Sequence, residues 1–131
     1  MGFLNPLKKG LLLYGDARRD PAKPEELLKY AESFMEEGAF ADALNFYVEA
    51  GADDGVKKLL AEAVSSGDYF LYRRGCELLG KEMDRGDLMS LAQNAKASGK
   101  LVFARDSYLG AGEDRLAGDV EKLMEGQPPA N

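Results

Sequence analysis

Two interleaved series of glycines constrain this chain more than any other feature. Gly38, Gly67 and Gly99 stand 29 and 32 residues apart, and Gly51, Gly80 and Gly112 repeat the same two intervals. Each member of the second series follows its counterpart by 13 residues, the length of a short helix closed by a C-terminal glycine. Two such helices per period predict an array of helical hairpins.

Apolar positions counted from the first series agree with that reading. Eight and seven residues before each glycine stand Tyr30–Ala31, Leu59–Leu60 and Leu91–Ala92, and four before stand Phe34, Ala63 and Ala95. Two residues after come Phe40, Tyr69 and Leu101, and five after come Ala43, Tyr72 and Ala104. Tyr47, Cys76 and Tyr108 follow at plus nine, and Ala50, Leu79 and Ala111 at plus twelve. All 21 positions are apolar, which predicts a shared core. From Pro24 to about Met124 the periodicity is helical, β-branched residues are few, and the expected class is all-α.

These offsets resemble the tetratricopeptide repeat, which carries a large–small–aromatic set on one helix and aromatic–small–aromatic residues on the next. The first unit matches best, the third follows, and the middle one is the most degenerate. The period is shorter than in that family and the proline between repeats is missing, so the pattern is also similar to clathrin and coatomer-type α-solenoid repeats. The resemblance covers about residues 24–125. It implies a right-handed α-α superhelix of about three helical hairpins plus a C-terminal capping helix, the last carrying Leu116, Val120, Leu123 and Met124 on one stripe.

The flanks read differently. Residues 1–23 form an apolar, basic arm with a proline-interrupted linker, Asp20–Pro21–Ala22–Lys23–Pro24, and residues 126–131 read as a disordered tail. The arm carries a net charge of +3 and the remainder −9, out of −6 for the whole chain. Phe3, Leu4, Leu7, Leu11 and Tyr14 give it an apolar side. Two destinations stay open: the arm docks on the helical body, or it engages something else, such as a partner, an anionic membrane surface or, through residues 2–14, a neighbouring copy in a homo-oligomer. Its run Leu11–Leu12–Leu13–Tyr14 is too short for a signal peptide and lacks a small-residue cleavage site, and Pro6 disagrees with a myristoylation signal. The expected location is the cytoplasm, without a membrane as partner.

Composition excludes several kinds of chemistry. The chain has no histidine, which removes Ser-His and Cys-His nucleophile pairs and His-containing zinc sites. One cysteine forms no intramolecular disulfide. The acidic balance argues against nucleic acid as a partner, and no phosphate-binding glycine loop is present. Asp53–Asp54, Glu113–Asp114, Asp68 and Asp87 follow glycines and are expected to cap helices or to face helix dipoles. Arg85–Gly86–Asp87 falls at a repeat junction and takes the same explanation. Cys76 sits at a core offset, where a thiol is inert. No catalytic residue, metal ligand or cofactor is assigned, and the chain is not expected to be an enzyme.

The resemblance implies that the first helix of each hairpin lines a concave, peptide-binding surface. Carried across by offset, the candidate partner-binding residues are Leu28, Lys29, Glu32 and Met35, then Lys57, Lys58, Ala61 and Val64, then Met89, Gln93 and Lys96. Leu28, Met35, Val64 and Met89 form an adaptable apolar strip, and Lys57, Lys58 and Lys96 supply positive charge for an acidic ligand. Leu28 and Glu32 occupy two places where chaperone-binding members carry clamp residues, which argues against a carboxylate clamp. The expected function is a non-catalytic protein- or peptide-binding scaffold. The alternative is a structural, self-assembling subunit.

Overall fold

In the computed structural model, residues 23–126 are described, and they form seven α-helices and no strand. These are α1 (Pro24–Glu36), α2 (Phe40–Glu49), α3 (Asp53–Ser66), α4 (Tyr69–Leu79), α5 (Arg85–Ala97), α6 (Leu101–Gly110) and α7 (Asp114–Glu125). Residues 1–22, nearly all of the arm, and residues 127–131 lie outside the described residues.

The glycines end the helices for a local reason. All six members of the two series have positive φ, from +67° to +80°. In each case the glycine N–H and the next N–H turn back onto carbonyls of the last helical turn. At the end of α1, Gly38 N–H donates to Met35 O at 3.1 Å and Ala39 N–H to Phe34 O at 2.9 Å. Gly112 with Glu113 does the same onto Leu109 and Tyr108 at 3.0 and 2.8 Å. This Schellman arrangement satisfies carbonyls that the helix leaves unpaired, and only glycine adopts its left-handed residue without strain.

Helix starts divide into two kinds. Asp68 caps α4 by accepting from Leu71 N–H at 3.0 Å, and Asp84 caps α5 by accepting from Asp87 N–H at 2.9 Å. At α1 the Glu26 carboxylate reaches back to Lys23 N–H, and Pro24 fills the first position. Asp53–Asp54 and Glu113–Asp114 make no capping bond; Asp53, Asp54 and Asp114 sit in first turns, where the helix dipole favours them. Asp87 is not the cap expected of it. The connection before α5 is longer than the others, so Asp84 takes that role and Asp87 faces Tyr72 instead.

Consecutive helices α1–α2, α3–α4 and α5–α6 pack on one another, and α7 covers α6. The pairs are joined through α2 on α3 and α4, and through α3 on α5 and α4 on α6, while α1 has little contact with α3. One core results, running through Leu44, Leu59, Tyr72, Leu88, Leu91 and Val120. Most of the 21 apolar offsets are buried or half-buried, Cys76 among them.

Two offsets are corrected: Tyr30 and Leu79 are exposed. Tyr30 lies on α1, which no described helix precedes, and Leu79 ends α4 beside the long connection to α5. In α7, Leu123 is exposed and Ala117 is buried, so the inward stripe runs through Ala117 and Val120 with Leu116 and Met124 beside it.

Close approaches depend on three further features. A side chain at Gly55 would occupy the space of the Tyr47 ring, and one at Gly75 that of Leu60. Gly67 is tighter: an added Cβ would stand 2.5 Å from the Ala95 backbone. The turn after α3 therefore seats directly on α5.

Candidate functional site

The first helix of each pair carries the expected lining residues. On α3, Lys57, Lys58 and Ala61 are exposed and Val64 is half-buried; on α5, Gln93 and Lys96 are exposed and Met89 is half-buried. Direct packing of α3 on α5 puts these two sets on one joined pair of helices. Two polar links hold the end of α3, one from α5 and one from the turn between α5 and α6. Asn94 Nδ2 donates to Val64 O at 2.8 Å, and Lys100 Nζ donates to Ser66 O at 2.7 Å. Both acceptors belong to the last turn of α3, where carbonyls are left without helical partners. Neither link is signalled by helical periodicity.

The α1 set is placed differently. Leu28 and Met35 are half-buried, and Lys29 and Glu32 are exposed. Because α1 packs on α2 and little on α3, Leu28, Lys29, Glu32 and Met35 are not drawn against the α3 set as closely as α3 is drawn against α5.

The electrostatics of the α3–α5 surface follow from what its lysines lack. Ion pairs among the described residues engage Arg73, Arg74, Arg85 and Arg105, and none engages Lys57, Lys58 or Lys96. Val64 and Met89, on the same two helices, each rest their inner side on the core. Apolar side chains and lysines without ion-pair partners therefore share these two helices, beside the exposed carboxylates of Asp53, Asp54 and Glu62.

The remaining reactive groups are buried. Cys76 lies in the core, and desolvation pushes its thiol up. Tyr72 is only 1% exposed; burial is the largest cause raising its phenol, and donation to Asp87 adds to it. Among the described residues no three carboxylate, cysteine or histidine groups gather to hold a metal ion, and no helix is long and apolar enough to cross a membrane.

A second surface escaped the reading of the sequence. Phe70 on α4 with Val102 and Leu109 on α6 are about half exposed, on helices that pack together. Phe70 and Val102 each stand three residues after a turn glycine, so the offset that exposes them was available in the glycine series.

Comparison of the chain with protein-family models, curated proteins and solved structures finds no match.

Proposed function

We propose that the chain is a non-catalytic, tetratricopeptide-like binding module of the cytoplasm, in which the helix pairs form a right-handed α-α superhelix. The ligand is a protein segment of mixed apolar and acidic character, laid across the first helices of the pairs. One observation carries this reading: Val64 and Met89, half-buried on two directly packed helices, share those helices with lysines that have no ion-pair partner. Leu28 and Met35 on α1 extend the apolar strip, and Lys29, Glu32, Ala61 and Gln93 border it. The bonds from Asn94 on α5 and from Lys100 in the α5–α6 turn hold the end of α3 in place, which lowers the ordering cost of binding.

The test is a fluorescence-anisotropy screen of labelled acidic-apolar peptides against the full chain. A binder is expected to lose at least about tenfold in affinity with Val64→Asp or Met89→Asp, which is roughly 1.4 kcal/mol. It is also expected to weaken with added salt and with Lys57→Glu. Peptides that bind all variants equally would overturn the assignment, as would a screen without any binder.

A further inference from the structure

The turn-glycine register makes the three helix pairs comparable position by position, and one comparison is uneven. Leu59 and Ala63 in the second pair, and Leu91 and Ala95 in the third, are completely buried. Their covers come from the pair before: α2 packs on α3 and α4, and the Gly67 turn sits against Ala95. The corresponding residues of the first pair are Tyr30 and Phe34. No described helix precedes them; Tyr30 remains 53% exposed and Phe34 is half-buried. Both rings lie 5.4 Å from the Phe46 ring, so α1 and α2 together carry an aromatic cluster.

We propose that residues 3–14 of the same chain dock on this cluster and cover Tyr30 and Phe34 as α2 covers the second pair. Four observations choose that occupant. Leu4, Leu7, Leu11 and Tyr14 recur at spacings of three, four and three, the spacing of a single apolar helical stripe. A single helix is enough, because α2 alone makes the extensive contact of its pair with α3 and α4. The reach also suffices. Eight residues separate Tyr14 from Lys23 and span up to about 28 Å, whereas Pro24 to Phe34 rises only about 15 Å along α1.

Charge supplies the fourth observation. Residues 24–49 hold seven carboxylates and one lysine, for −6, whereas 53–79 total −1 and 85–110 total +2. The +3 arm therefore adjoins the most acidic part of the body. Covalent attachment raises the arm's effective concentration at its own face above that of a neighbour's arm at ordinary protein concentrations.

The experiment uses the full chain and an arm variant, Leu4→Ser with Leu7→Ser and Leu11→Ser, which leaves the body's residues intact. Amide exchange followed by mass spectrometry is expected to show at least about threefold faster uptake in α1 and α2 of the variant, with α5 to α7 unchanged. The arm variant and Tyr30→Ser are each expected to lower the thermal midpoint. Combined, they should lower it by less than the sum, the mark of residues in contact. Unchanged uptake in α1 and α2, or additive midpoints, would overturn the proposal. Light scattering on the same samples separates the other occupant: a dimer dissociated by the arm variant would mean that the arm covers a neighbour's face, and would equally overturn it.

Discussion

The Tyr72 hydroxyl of α4 donates to the Asp87 carboxylate of α5 at 2.9 Å, and the same oxygen accepts from Asp84 N–H at 3.0 Å. One buried phenol thereby fixes the start of α5, the helix entered through the longest of the described connections. Asp84 in turn caps that helix by accepting from Asp87 N–H. The three residues close a ring across the α4–α5 junction, where direct helix packing is sparse.

Tyr72→Phe removes the hydroxyl and leaves Asp84 N–H and the Asp87 carboxylate without it. The expected cost is about 1–3 kcal/mol, read as a lower urea midpoint with an unchanged slope. Asp87→Ala should cost a comparable amount, and the double variant less than the sum.

Alkaline pH should unfold the protein through Tyr72 and Cys76. Both folded pKa values are raised, so the folded state keeps protons that the unfolded chain gives up. Stability is fully present below the unfolded values, near 8.5 for a thiol and 10 for a phenol, and falls as pH rises past each. Above pH 10 the Tyr72 contribution reaches about 1.4 kcal/mol per pH unit. Urea midpoints between pH 7 and 11 check this, and Tyr72→Phe should flatten the part above pH 10.

Gly67→Ala and Gly80→Ala separate turn strain from crowding. Both positions have positive φ, but Gly80 faces open space whereas Gly67 abuts the Ala95 backbone. Gly80→Ala is expected to cost about 1–2 kcal/mol from the left-handed conformation alone. Gly67→Ala should cost distinctly more, because backbone cannot swing aside as a side-chain end can. Thermal midpoints of the two variants give the comparison.

Gly118→Ala should stabilise. Gly118 lies inside α7 without positive φ, and an added Cβ meets nothing within 4 Å. Higher helix propensity and a less flexible unfolded chain together favour alanine by about 0.5–1 kcal/mol. A rise of the thermal midpoint is the expected result.

Cys76 should resist thiol reagents until the chain opens. Its burial and raised pKa both withhold the thiolate. Labelling by a disulfide reagent at pH 8 is expected to be slow in buffer and fast in denaturing urea.

Much of the helical order was legible in the sequence because its signals are local. The six turn glycines are needed for a backbone conformation that each turn requires whatever surrounds it. The buried offsets Ala31, Ala43, Leu59 and Leu91 follow from a 3.6-residue period within single helices. The candidate surface was legible in part: the alternation of apolar and basic residues on α3 and α5 lies within each helix. Its fastening through Asn94 and Lys100 was not, since each reaches a carbonyl about 30 residues away. Tyr72 with Asp87 escaped notice for the same reason. Gly55 and Gly75 look like weak points in helices until Tyr47 and Leu60 are seen lying against them.

The sequence by itself determined the helical class of the described residues, the glycine ends of six helices and most of the positions they turn inward. Those properties depend on φ preferences and on periodicity over a few residues. Tertiary structure alone decided that Tyr30 stays exposed where Leu59 and Leu91 are sealed, that Asp87 faces a phenol, and that α3 rather than α1 lies against α5. Burial and pairing are relations between distant segments, and equal residues at equal offsets meet different fates when only some have a neighbour to cover them.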